Sequence, residues 1–250
     1  MPAISAHKET MINEDSFLDF NCPYCGDTIS FPQTAAGFPQ ECPNCLESVI
    51  VPEAGSEVGR KLPLPITTAR LRLRRFAVGD WKDLLELLSD EEKFSYVDGL
   101  PGPGEEEVLR WLEADNHVRL TTPSQMFRLA IELQEGGKLI GFLGLWFTDV
   151  QRLQATFNIS LHQDYQRKGF AREAADALLG FCFEGIKVHR VAARCDSRSA
   201  AACKLCEKLG LRREGEFVKD QPLLDGGWSN SIWYAALEGE YRKPASGAAS

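Results

Sequence analysis

The sequence predicts an α/β protein, a mixed sheet with helices on both faces, behind a small cysteine-built module. Three observations carry that expectation. From about residue 66 onward, segments with period-two apolar alternation trade places with segments of helical period. Two Cys-x-x-Cys pairs stand close together near the N-terminus. Between these regions, Pro52, Gly55, Gly59, Pro63 and Pro65 punctuate a stretch with neither period.

A chain of 250 residues suggests one large domain or two small ones. Its 44% hydrophobic and 10% aromatic content can build a core and argues against disorder. No run approaches the roughly 20 continuous apolar residues of a membrane helix. MPAISAHKETMINEDSF has no basic region followed by an apolar one, so it does not read as a secretory leader. The expectation is a cytoplasmic protein with reduced thiols and no membrane partner. The net charge of -8 is unevenly spread, with Lys8 and Arg60 facing nine acidic residues over 1–60. That acidity disfavours nucleic acid, which is held largely through Lys and Arg on phosphates. It leaves room for a basic protein or peptide.

These features divide the chain into a flexible tail (1–19), a cysteine module (20–52), a linker (53–65), a main domain (66–243) and a second tail (244–250). Within the main domain, ARLRLRRF alternates Leu71 and Leu73 with Arg and reads as a strand. DWKDLLELLSD puts Trp81, Leu84, Leu85 and Leu88 on one helical face, with Asp80 as its cap. EEEVLRWLEAD, acidic in its first turn, reads as a second helix. MFRLAIEL and KLIGFLGLWF form a hairpin across QEGG, and ATFNISLHQ is a further strand. REAADALLGFCFEG is an apolar helix, HRVAARC a strand, SAAACKLCEKLG a helix ended by Gly210, and SIWYAAL a last strand.

Cys22, Cys25, Cys42 and Cys45 form two Cys-x-x-Cys pairs separated by 16 residues, a spacing that suits zinc. Two thiolates three positions apart converge on one ion only where the chain turns back sharply, and Pro23 and Pro43 help set those turns. Two such knuckles supply a closed tetrahedral site with no open catalytic position. The alternative is two disulfides, which the cytoplasmic expectation disfavours. A module this short needs the metal for stability. The acid excess points to a protein contact or a purely structural role.

A second constellation lies in FNISLHQDYQRKGFAREAADALLGFCF, where a strand runs through the loop QRKGFA into a helix. A helix N-terminus offers unpaired N–H groups and a positive dipole end to an anion. Gly169 allows close backbone approach, Ala171 leaves room on the first turn, and Arg167 and Lys168 add charge. An ordinary strand-to-helix turn with surface charges would read the same way. QRKGFA, however, resembles the Q/R-x-x-G-x-G/A signature of the GNAT acetyltransferases, with Gln166, Gly169 and Ala171 at its three marked positions. HRVAARCDSRSAAACKLCEKLGLRREGE, GGWSNSIWYAALEGEY and the opening ITTARLRLRRF are similar to the surrounding family pattern. The resemblance runs over about 66–243 and is nearest to the branch of ribosomal-protein N-terminal acetyltransferases.

The resemblance implies a GNAT fold, a mostly antiparallel mixed sheet flanked by helices, and an N-acetyltransferase. It would move acetyl from acetyl-coenzyme A to a primary amine, either a protein N-terminus or a small amine. It further implies that the strand at Ile159–Leu161 pairs with the pantetheine arm. Backbone amides of Arg167, Lys168, Gly169, Phe170 and Ala171 would hold the pyrophosphate. An N–H near Ile159 would polarise the thioester carbonyl. Ser199 stands where the branch has a cofactor-side Asn. Ala202 replaces a suspected proton donor, and Thr156 and Asn230 stand where carboxylates are usual. Cys206 occupies a position where other branches have Tyr, and a packed thiol is the alternative to a donor there. His162 is the remaining candidate base, weighed against a plain strand-end residue. The missing acids also admit a degenerate acetyl-coenzyme A-binding module with the zinc ribbon as its partner contact.

Overall fold

The computed structural model describes residues 16–53, 56–89, 104–121, 125–148, 153–223 and 226–241. Most of the expected N-terminal tail and all of the C-terminal one lie outside them. The chain divides into two units between Leu62 and Pro63.

In the first unit, β1 (Phe17–Asn21) and β2 (Thr28–Pro32) make an antiparallel hairpin. β3 (Pro39–Glu41), β4 (Ser48–Ile50) and β5 (Arg60–Lys61) make a second small sheet. Phe20, Ile29, Val49 and Val51 form a core together with Cys22 and Cys42. Two expectations are corrected here. The tail ends before Phe17, because β1 supplies Phe20 to that core. The linker does not begin at 53: β5 pairs with β4, and Asn21 exchanges backbone bonds with Glu57 and Gly59. Arg60 and Lys61 are exposed on both sides, so they carry no apolar alternation for a sequence reading to detect.

The second unit is one eight-stranded sheet in the order β12-β13-β11-β10-β9-β8-β7-β6. Its strands are β6 (Ile66–Thr67), β7 (Leu71–Arg74), β8 (Phe127–Leu133), β9 (Leu139–Phe147), β10 (Gln154–Leu161), β11 (Arg190–Asp196), β12 (Arg212–Pro222) and β13 (Trp228–Leu237). Among the described strands of this sheet, only β10 and β11 run parallel. A parallel pair needs a crossover, and α3 (Phe170–Gly180) provides it.

α1 (Trp81–Leu88) and α2 (Glu105–His117) cover one face, where Leu84, Leu87, Val108 and Leu112 meet Ala130, Leu139 and Phe142 of the sheet. α3 and α4 (Ala200–Lys208) pack beside each other on the opposite face. Side-chain parity fixes this. His162 reaches Glu86 of α1, whereas Cys195 meets Cys206 of α4. His162 and Asn158 share one face of β10, and Phe157, paired with Ala193, lies on the other face with Cys195.

Asp80 sits at the cap position of α1 without capping it. Its carboxylate instead takes both Arg74 guanidinium nitrogens at 2.7 Å and the Ala77 N–H at 2.8 Å, tying β7 to the helix start. β12 was not anticipated as a strand. It is an exposed edge with two register shifts against β13, so neither burial nor alternation marks it.

Candidate active site

β10 and β11 are in register from Gln154–Arg190 to Phe157–Ala193 and then part. β10 stays bound to β9 as far as Leu161, and β11 to β13 as far as Asp196. The facing edges of Asn158–Leu161 and Arg194–Asp196 therefore open into a cleft. The phase of the β9 ladder shows what faces it. His162 N–H bonds Ile140 C=O at 2.8 Å, and Thr148 N–H bonds Gln154 C=O at 3.0 Å. Even-numbered residues between them turn their backbone groups to β9, so Phe157, Ile159 and Leu161 turn theirs toward β11. Ile159 thus presents a backbone N–H and C=O to the opening.

The loop after β10 closes one end of this cleft. Gln166 Nε2 donates to Leu161 C=O at 3.1 Å and pins the loop to the open strand edge. Arg167 has φ 58°, a left-handed conformation that costs a non-glycine residue on the order of 1 kcal/mol. Gly169, at φ 84°, makes the second such turn and caps α3. The first backbone bond of the helix runs from Glu173 N–H to Gly169 C=O. The amides of Phe170, Ala171 and Arg172 therefore have no intrahelical acceptor and form an anion cradle.

A clamp absent from the sequence reading holds that cradle. Glu173 accepts from the Thr68 hydroxyl at 2.6 Å, Arg70 N–H at 2.9 Å and Arg70 Nε at 2.7 Å. Arg70 also donates to Lys168 C=O at 3.1 Å and lies 4.3 Å above the Phe170 ring. Burial alone would raise the Glu173 carboxyl, but the bonds from Thr68 and Arg70 outweigh it and hold the group below its ordinary range. A carboxylate in the first turn of an anion-binding helix is in this way neutralised by its partner. No local pattern links positions 103 residues apart.

On the α1 face, the cleft is lined by Asn158 and Ser160 from β10, Arg194 and Asp196 from β11, and Ser231 from β13. The Arg198 guanidinium holds the Asp196 carboxyl below its ordinary range, against burial. Asp220 takes the Ser231 N–H at 2.9 Å and its hydroxyl at 2.6 Å. Asp196 is thus already paired with a cation, while the partners of Asp220 are uncharged.

Other residues singled out from sequence fall elsewhere. Cys206 is buried with its Sγ 3.5 Å from Cys195 Sγ, a packed thiol in the α4 core. His162 faces Glu86 at 3.6 Å and accepts the Asp164 N–H at Nδ1. Three residues of strand, about 10 Å, separate it from Ile159. Ser199 caps α4 by accepting the Ala202 N–H at 3.4 Å. Thr156 is buried within the paired part of β10. Asn230 bonds Lys219 N–H and Glu216 on β12.

In the first unit, the two knuckles bring Cys22 and Cys45 to a 3.8 Å sulfur separation, and Cys25 and Cys42 to the same distance. All four sulfurs lie within 4.8 Å of one another. A tetrahedral zinc with bonds of about 2.3 Å needs sulfurs about 3.8 Å apart. The donor set fits that ion.

Residues 70–212 match the acetyltransferase (GNAT) domain family, a span that holds β10, β11, the loop between β10 and α3, and the Arg70–Glu173 pair. An uncharacterized N-acetyltransferase of Bacillus subtilis, YnaD, is 30% identical over 179 residues, which are 70% of this chain and 98% of that protein. The chain belongs to the GNAT acetyltransferase family. As a GNAT protein it is an acyltransferase. A GNAT acetyltransferase structure from Bacillus anthracis is 28% identical, with a TM-score of 0.60 over 70% of this chain and 99% of that one. A candidate ribosomal-protein-serine acetyltransferase from Vibrio cholerae, 19% identical with a TM-score of 0.59 over 70% of this chain and 98% of its own, shares the fold. The four cysteines lie outside the family match. No described helix is long and apolar enough to cross a membrane.

Proposed function

We propose that this GNAT enzyme transfers acetyl from acetyl-coenzyme A to a primary amine, a protein N-terminus or a small amine, by direct attack in a ternary complex. The observation that carries this reading is the parting of β10 and β11 after Phe157–Ala193, beside a helix N-terminus with free amides. Ile159 and Leu161 pair through their backbones with the pantetheine arm. The amides from Arg167 to Ala171 hold the pyrophosphate, with Gly169 permitting the approach and Gln166 fixing the loop. Ile159 N–H bonds the thioester oxygen, where negative charge develops during attack.

Holding both reactants in the cleft supplies much of the rate. Asp220, whose partners Ser231 and Gln221 are uncharged, draws a cationic amine to the α1 face. The lowered Asp196 carboxyl is a weak base near neutrality, so water carries the amine proton away. Cys206 and His162 are left without a direct role, because one is packed and the other lies about 10 Å along the strand from Ile159 and faces Glu86. Zinc at Cys22, Cys25, Cys42 and Cys45 would supply a crosslink in place of a large core. That unit's acidity suits a basic protein partner, and the cytoplasm is its proposed location. Calorimetric titration with acetyl-coenzyme A, followed by amine-dependent thiol release, tests the reading. Binding without release on any amine would contradict it.

A further inference from the structure

Asn158 stands one residue before Ile159 in the open part of β10, with its side chain on the α1 face. Its Oδ1 is buried and receives no hydrogen bond among the described residues. A Cβ placed on Gly144 would collide with both Asn158 Oδ1 and Met126 Sδ, so a bare Cα and a thioether close over the oxygen. Neither is a useful donor. A buried carbonyl oxygen without a donor is costly, and native proteins retain few of them. Met126 is unbranched and flexible, and is the group best able to turn aside and expose it.

The position of this oxygen identifies the donor it lacks. On the acetyl-transfer reading above, on which this inference rests, the thioester oxygen is held at Ile159 N–H and the amine arrives from the α1 face. As the amine lone pair forms the N–C bond, the C–S bond breaks and sulfur keeps its electron pair. Nitrogen becomes positively charged, and its N–H groups become stronger donors until one proton leaves to water. The thiolate takes a proton from water in turn. An oxygen bonded to that N–H is held more tightly in the transition state than in the ground state, which raises kcat.

We propose that Asn158 Oδ1 accepts an N–H of the attacking primary amine and aims its lone pair at the thioester carbon. The carboxamide takes no proton, so it orients the nucleophile without acting as a base. Nothing in a neutral strand residue announces this role, which depends on the missing side chain at Gly144.

The test compares wild type, Asn158→Ala and Asn158→Asp, using spermidine, tyramine and a short N-terminal peptide as acceptors. For the best acceptor, Asn158→Ala lowers kcat by roughly 30- to 100-fold, with the amine KM and the acetyl-coenzyme A Kd little changed. Its Tm is unchanged or higher, because an unsatisfied polar atom has been removed. Asn158→Asp, which keeps an accepting oxygen, restores turnover to within about tenfold of wild type. Wild-type kcat in Asn158→Ala would overturn the role, as would a fall matched by weaker cofactor binding or a lower Tm. A wild-type protein that binds acetyl-coenzyme A but acetylates no amine would instead overturn the transfer reading, and this role with it.

Discussion

Arg70 and Glu173 are joined side chain to side chain at 2.7 Å, and the Arg70 backbone N–H adds a second bond to the same carboxylate at 2.9 Å. The pair fastens the first turn of α3 to the approach of β7. It also places the Arg70 guanidinium against Lys168 C=O inside the anion loop.

Breaking that pair should loosen the cradle without unfolding the sheet, since exposed ion pairs add at most about 1 kcal/mol to stability. Glu173→Ala and Arg70→Ala should each weaken acetyl-coenzyme A binding about tenfold by calorimetry, with a Tm within a few degrees of wild type. The double variant should be no weaker than the poorer single one. Additive losses would show that the two residues act separately.

The cysteine unit should bind one zinc per chain, measured by metal release on thiol modification. Cys42→Ser should lose the metal. Hydrogen exchange at Val49 and Val51, which share a core with Cys42, should then rise to the rate of an unfolded segment. Structural zinc contributes on the order of 10 kcal/mol, more than so small a core can replace. Retained protection after metal removal would sink this account of the unit.

Acid sensitivity should concentrate where Glu214 of the edge strand β12 meets Arg190 of β11 across β13. The guanidinium groups of Arg190 and Arg212 hold the Glu214 carboxyl down at about 2, against the effect of burial. A depressed folded-state pKa adds stability that is complete above the unfolded value of about 4.3 and is lost as pH falls through the folded one. Thermal melts of Glu214→Gln should therefore lie a few degrees below wild type at neutral pH. The two curves should converge between about pH 4 and pH 2. Parallel curves would mean that the two arginines do not hold the carboxylate in solution.

Cys206→Ala should keep turnover within about tenfold, a barrier change of about 1.4 kcal/mol. A thousandfold loss in thiol-release kinetics would make the Cys195 contact a distraction and the thiol a proton donor.

Much of the fold was legible in sequence because burial follows side-chain period. Leu71 and Leu73 are fully buried, as alternation with Arg predicts, and the four-cysteine spacing alone anticipated the sulfur cluster. The cradle was legible because Gly169 must adopt a positive φ next to a helix start. What escaped notice lacks a local signature. β12 is exposed and irregular, and β5 is two charged residues. The Arg70–Glu173 clamp and the Asn158–Gly144–Met126 contact join positions distant in the chain. Cys206 had the right register for a proton donor, but sequence could not show Cys195 facing it.

The central claim is tested most directly by titrating acetyl-coenzyme A into wild type and into Gly169→Glu, then adding amine and following free thiol. At Gly169, φ is 84° and a Cβ would lie 3.2 Å from the Arg70 guanidinium, and a carboxylate there would meet the pyrophosphate. The account predicts stoichiometric binding and amine-dependent thiol release by wild type, and at least about 100-fold weaker binding by the variant. Equal affinity in the two proteins, or none in wild type, would contradict it.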